Sequence, residues 1–211
     1  PLLVLSGAGT GKTRVLTSRF VYIVKKLNID FHKIIAVTFT NKAANEIKER
    51  VNKELQNHVD TPWIGTFHSI FAKFLRKHSS LVKLKNNFNI LDTDDQKKLL
   101  KQVIEFCKID NEINEGIYLN EIQNLKDQKI LSHEKLKISK YSSLENLSQI
   151  YELYQERLLE INGVDFGDIL LHSYQILSNN KDIRNSYMSY IEHILIDEFQ
   201  DTNLIQYDLV K

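Results

Sequence analysis

The stretch SGAGTGKT, residues 6–13, follows the apolar run LLVL at residues 2–5 and precedes a segment in which Val15, Leu16, Phe20, Ile23 and Val24 recur at helical spacing. Gly7, Gly9 and Gly11 let backbone N–H groups converge where a Cβ would intrude, and a helix start behind them adds partial positive charge. Lys12 and Thr13 then stand where an ammonium reaches β- and γ-phosphates and a hydroxyl reaches Mg2+. This is the phosphate-loop pattern, with Ser6 in place of the usual first glycine. It predicts a buried parallel strand at residues 2–5, a turn, and a helix from Lys12 to about Leu27 that stops at Asn28.

Outward from that loop the alternation continues. Residues 34–39 (IIAVTF) form a β-rich run. Residues 41–55 are expected to be helical, with Asn41 as cap and Ala44, Ile47, Val51 and Leu55 as one apolar stripe. Residues 63–67 read as a third short strand, with Trp63 in the core, and residues 193–196 (HILI) as a fourth. Strands alternating with helices imply an α/β fold built on a parallel sheet.

Between them, residues 67–191 carry helical periodicity and no convincing strand, so an all-helical insertion is expected. Thr93 and Gln96 fit a capping box ahead of Leu99, Leu100, Val103, Ile104 and Cys107. A second stripe runs from Leu144 through Leu158 to Ile161, closed by Asn162 and Gly163. Asp165 is placed to cap a further helix carrying Ile169, Leu170 and Leu177.

A phosphate loop needs an acid at the end of a neighbouring strand, and HILI runs straight into Asp197 and Glu198. Asp197 is the candidate metal holder and Glu198 the candidate base that polarises water. Two adjacent acids repel each other unless a cation sits nearby. Two further clusters stand at strand ends, the ligand edge of an open α/β sheet. These are Thr38, Phe39 and Asn41, and Thr66, Phe67 and His68. Each sets an aromatic among hydroxyl and amide groups, which suits a single nucleic-acid strand; Phe39 and Phe67 also fit as core residues.

The charge is uneven. Residues 1–66 hold ten Lys/Arg against five Asp/Glu, and residues 192–211 hold one against five, within a net charge of +1. A basic segment suits phosphates and an acidic one a metal ion. At 42% hydrophobic and 26% charged residues, the chain is neither disordered nor membrane-spanning in composition. A single cysteine excludes an internal disulfide, and no zinc-ligand spacing occurs. A cytoplasmic location is expected.

The strings IIAVTFTNKAANEIKERV, GTFHS, NILDTDDQ, GVDFGDILL and HILIDEFQDTNLIQYDLVK, in this order and spacing, resemble the UvrD/Rep/PcrA branch of superfamily 1 DNA helicases over essentially the whole chain. The resemblance implies a RecA-like P-loop NTPase motor domain, 1A, at residues 1–66 and 192–211. This domain is incomplete at both ends and is interrupted by helical domain 1B at residues 67–191. It implies ATP and Mg2+ as cofactors and movement 3′ to 5′ on single-stranded DNA. Unwinding at junctions of single- and double-stranded DNA follows, in repair or replication. It assigns Lys12, Asp197 and Glu198 to catalysis, and Thr13 and Asp197 to the metal. Ser6, Gly7, Ala8, Gly9, Thr10, Gly11, Lys12, Thr13, Arg14 and Gln200 would hold the nucleotide, with Arg14 against adenine and Asp201 in support. Thr38, Phe39, Asn41, Thr66, Phe67 and His68 would touch the strand. The family's adenine-reading glutamine would precede Pro1, and its second motor domain would follow Lys211. Residues 1–211 alone are therefore expected to hydrolyse ATP barely, if at all. A non-motor DNA-binding fragment, a nucleotidase that takes no nucleic acid, and the NTPase part of a helicase–nuclease are the alternatives.

Overall fold

The computed structural model describes residues 2–5, 11–56, 63–109, 114–142 and 144–211. In chain order the elements are α1 (Lys12–Leu27), β1 (Ile34–Thr38), α2 (Asn41–Leu55), β2 (Ile64–Thr66), α3 (Phe67–His78), β3 (Asn89–Ile90), α4 (Thr93–Phe106), α5 (Glu115–Asp127), α6 (Lys135–Tyr141), α7 (Leu147–Glu160), β4 (Gly163–Val164), α8 (Phe166–Asn179), α9 (Lys181–Tyr190), β5 (His193–Ile196) and α10 (Leu204–Val210). They gather into two compact units, one of residues 1–70, 180–202 and 210, the other of 71–179, 203–209 and 211. The sequence reading put the joints at 66/67 and 191/192. In the structure α9 goes with the first unit, and residues 203–209 go with the second.

The first unit is α/β, with a three-stranded parallel sheet in the order β2-β1-β5. The register pairs Thr38 with Thr66, and Val37 with both Gly65 and Ile196. The central strand β1 is buried: Ile34, Ala36 and Val37 are wholly covered. That fits its run of β-branched and small apolar residues, which a strand covered on both faces requires. Leu16, Phe20 and Ile23 of α1 and Ile47 and Val51 of α2 form one core with Ile34, Ala36 and Ile64. The ladder continues past β5, where the Asp197 N–H donates to the Val37 carbonyl at 2.9 Å. All three strands therefore end on one edge, the edge that carries Thr38, Thr66 and Asp197.

Residues 2–5 correct the sequence reading. They form no strand, and Leu2 and Leu5 are 80% and 84% exposed. An apolar run becomes a buried strand only against a pairing edge under a covering layer. Both edges of β1 are taken by β2 and β5, and this run joins neither outer strand. The third strand is also shorter than expected: Phe67 opens α3 rather than closing β2. Trp63 is half-buried and meets the Tyr187 ring edge-on, centroids 6.4 Å apart.

Among the described residues the second unit is helical, with one exception. β3 and β4 make a two-residue parallel pair, Asn89 with Gly163 and Ile90 with Val164, so the insertion is not all-α. Strands this short leave almost no periodic signal. The core joins Leu100 and Val103 of α4, Tyr118 and Ile122 of α5, Ile138 of α6, and Ile150, Tyr151, Tyr154 and Leu158 of α7. Beside it lies an ion network. Lys126, wholly buried, reaches Asp165 Oδ2 at 2.6 Å and Asp168 Oδ1 at 2.7 Å. Asp165 caps α8 as expected, its Oδ1 accepting from the Asp168 N–H at 2.9 Å, and Asp168 Oδ2 accepts in return from the Asp165 N–H at 3.1 Å. The Tyr154 hydroxyl donates to Asp165 at 3.2 Å, and the Gln155 amide to Asp168 at 3.1 Å.

Two other caps differ from expectation by one residue. Asp92, not Thr93, caps α4, accepting from the Asp95 N–H at 2.9 Å, while Gln96 turns its amide to the Leu91 carbonyl. Thr40, not Asn41, caps α2, its hydroxyl accepting from the Ala43 N–H at 3.1 Å. In both places two neighbouring residues have capping side chains, and the one with extended backbone takes the role. Among the described residues, eight other than glycine have positive φ, including Asn28 after α1, Gln56 after α2, Lys108 after α4, Asn162 after α7, and Glu198. Among the described residues no helix is long and apolar enough to cross a membrane.

Candidate nucleotide and nucleic-acid site

The predicted phosphate loop falls mostly outside the described residues: Ser6, Gly7, Ala8, Gly9 and Thr10 are not among them, and Gly11, Lys12, Thr13 and Arg14 are. Gly11 precedes α1 at φ 85, a left-handed conformation that suits glycine. Its carbonyl accepts from the Arg14 N–H at 2.9 Å and so begins the helix.

Lys12 and Thr13, at the start of α1, meet the acids that follow β5. Lys12 Nζ donates to Glu198 Oε2 at 2.8 Å, across 186 residues of sequence. Thr13 Oγ1 lies 3.4 Å from Asp197 Oδ2 as a long hydrogen bond, and the Thr17 hydroxyl donates to the Thr13 carbonyl at 2.9 Å. Asp197 is buried, Glu198 is half-buried, and Arg14 is exposed. The sheet register fixes Asp197, because its backbone N–H is the last rung on β1. Glu198 then turns out of the strand at φ 51 into a 3-10 turn, Phe199–Asp201.

The electrostatics follow from these contacts. The Glu198 bond holds the Lys12 ammonium above its ordinary pKa. Lys12 first, then the Gln200 amide, holds Glu198 below the usual carboxylate range. Burial, with the Glu198 charge next door, pushes Asp197 up. An acid that resists ionising beside a second acid is a group that a cation would settle. Thr13 and Asp197 are oxygen donors, as a hard divalent ion such as Mg2+ requires.

Gln200 lies on the same carboxylate, its Nε2 donating to Glu198 Oε2 at 2.6 Å and approaching Asp201 Oδ2 at 3.5 Å. The resemblance implies a place for Gln200 in the nucleotide site, and in the structure its amide rests on Glu198.

The second set of predicted residues lies along the same edge of the sheet. Phe39, half-buried, packs against Phe67 with centroids 5.9 Å apart and planes at 60°. Phe67 is 1% exposed and Thr38 2%. Both are therefore covered in this structure, Phe67 by its packing against Phe39 and Thr38 within the sheet. Asn41 is exposed, and Thr66 and His68 are half-buried. Burial pushes the His68 imidazole pKa down, toward the neutral form. Thr66 caps α3: its Oγ1 accepts from the Ser69 N–H at 3.2 Å, and the Ser69 hydroxyl donates to the Thr66 carbonyl at 3.0 Å.

One residue here was not singled out from the sequence. A Cβ on Gly65 would lie 2.3 Å from Ser69 Oγ. The glycine in GTFHS thus makes room for the cap one turn on, a need set by tertiary packing and visible in sequence only as a glycine next to a hydroxyl.

The family model described as the UvrD/REP helicase N-terminal domain matches residues 1–211. The chain is 40% identical over 217 residues to a "Probable DNA helicase II homolog" of Mycoplasma capricolum, covering 100% of this chain and 30% of the relative. It is 35% identical over 213 residues to an "ATP-dependent DNA helicase PcrA" of Staphylococcus aureus, covering 29% of that protein. To the protein of the same name from Leuconostoc citreum it is 36% identical over 212 residues, 28% of that relative. The chain thus spans less than a third of the length of these curated relatives.

Proposed function

The chain belongs to the UvrD/REP helicase family, and from that premise we propose that it is the N-terminal part of an ATP-driven DNA helicase. The first unit would be the motor domain and the second the inserted helical domain. The observation that carries the reading is the junction of Lys12 and Thr13 with Asp197 and Glu198 at the ends of one sheet, because those four side chains are what nucleotide hydrolysis needs together.

Residues 6–11 would cradle the phosphates, with Lys12 on the β- and γ-phosphates, Arg14 against the adenine, and Asp201 in support. Thr13 and Asp197 would hold Mg2+, which when bound neutralises the phosphate oxygens. Glu198 would orient the attacking water. Phe39 would stack on a base of single-stranded DNA, with Asn41, Thr66 and His68 binding the backbone beside it. Phe67 and Thr38 would hold Phe39 from below. We infer movement 3′ to 5′, action at junctions of single- and double-stranded DNA, and a role in repair or replication, all supported by resemblance to the family.

The test is Lys12→Ala in the full-length protein. ATP hydrolysis and unwinding are expected to vanish while single-strand binding stays within about twofold, since one ammonium meets the phosphates and the strand lies elsewhere on the edge. Normal turnover in the variant would sink the reading. With the unaltered protein, a duplex bearing a 3′ tail should unwind and one bearing a 5′ tail should not; the opposite preference overturns the direction.

A further inference from the structure

Glu198 Oε2 accepts two hydrogen bonds, from Lys12 Nζ at 2.8 Å and from Gln200 Nε2 at 2.6 Å. The donors differ in kind. Lys12 carries a charge that a bound triphosphate would claim; Gln200 is neutral and has no such competitor. They also differ in how they are held. Gln200 sits in the 3-10 turn that Glu198 itself opens, closed by the Asp201 N–H on the Glu198 carbonyl at 2.9 Å. The Thr202 hydroxyl locks the same turn through the Phe199 carbonyl at 2.8 Å. The amide and its carboxylate are therefore parts of one hydrogen-bonded turn, whereas Lys12 approaches from another element.

We propose that Gln200 is a positioning residue for Glu198, and that Lys12 and Gln200 share the carboxylate in a handover. Without nucleotide, Lys12 and Glu198 occupy each other. When phosphates draw the ammonium away, Gln200 stays on Oε2 and keeps the carboxylate in place, with Oε1 left for water. A negative side chain at position 200 would repel Glu198, and a positive one would hold it as Lys12 does; a neutral donor is the type that orients without capturing. This rests on the hydrolytic reading above and adds a role that the motif alone does not contain: the nucleotide releases its own base by binding.

Two readouts in the full-length protein test it. The first is the affinity of a fluorescent, non-hydrolysable ATP analogue measured in EDTA. The second is kcat and KM at saturating DNA. Gln200→Ala should lower kcat about tenfold, less than the loss of a general base itself, with KM and analogue affinity within about twofold. Glu198→Ala should tighten analogue binding about two- to fivefold, the scale of a partly exposed ion pair whose lysine has been freed. Gln200→Ala added to Glu198→Ala should lower kcat no further. Weaker analogue binding by Gln200→Ala at unchanged kcat would make Gln200 a nucleotide ligand and overturn the proposal. So would an equal kcat loss in the Glu198→Ala background, or unchanged analogue affinity in Glu198→Ala. A wild type without DNA-stimulated turnover overturns the helicase reading itself; a wild type that turns over but is indifferent to Gln200 overturns only the handover.

Discussion

At the scale of single residues, the clearest constraint lies beside the site. Gly65 has no Cβ because Ser69 Oγ occupies that space, and Ser69 is there to close the first turn of α3 on Thr66. Gly65→Ala should push the hydroxyl off the Thr66 carbonyl and cost about 1 kcal/mol, one net hydrogen bond. Thermal unfolding measures this; Ser69→Ala removes the same hydrogen bond and clears the space, so Gly65→Ala added to Ser69→Ala should cost little further. A Gly65→Ala protein as stable as the parent would mean that Ser69 moves aside freely. Candidate residues set by local pattern are legible in the sequence, and the structure brings four of them together. Lys12, Thr13, Asp197 and Glu198 announce themselves because a phosphate loop and a strand-end acid pair are short and contiguous. The Gln200–Glu198 contact and the burial of Phe67 are not legible there, because a motif names residues without saying which side chain touches which.

At the scale of elements, the same divide falls between local and distant partners. Asp165 could be read as the cap of α8, since cap and helix adjoin. Its bond to Lys126, 39 residues upstream, could not. Nor could the β3–β4 pair, whose partners are far apart and two residues long. The buried trio sets a strong expectation. Lys126 holds Asp168 below the usual carboxylate range, while burial and the Asp168 charge push Asp165 up. Lys126→Met leaves two buried carboxylates without their cation and should cost about 3–5 kcal/mol in urea unfolding at neutral pH. In the variant both acids have folded pKa values raised above the unfolded ones. Their favourable contribution is then present at low pH and lost as pH rises through the raised values. The gap between parent and variant should accordingly be widest near about pH 7 and narrow toward about pH 4. A gap that stays constant with pH would show that the loss does not come from the two buried carboxylates.

At the scale of the whole molecule, alternation of strand and helix at the two ends of the chain and helical periodicity between them made the α/β class and the helical insertion readable. The joints between units are less so, because no residue of α9 is buried and nothing in its sequence marks which unit it joins. The strand expected at residues 2–5 failed for a related reason: hydrophobicity says that a run seeks cover, not where cover exists. A different property of the whole follows from its helix ends. The chain has seven glycines in 211 residues, and bulky side chains stand in the left-handed region where glycine would rest without strain. Gln56 and Lys108, at φ 55 and φ 51, follow α2 and α4 in separate units. Replacing each with glycine should raise stability by about 0.5–1 kcal/mol, the strain relieved less the freedom gained by the unfolded chain. The two gains should add, since the sites share no partner. Alanine at the same positions, which cannot relax that backbone, should give none, and paired melting curves would separate the two. Heat tolerance in this fold is thus adjustable at its turns, with the core and the site left as they are.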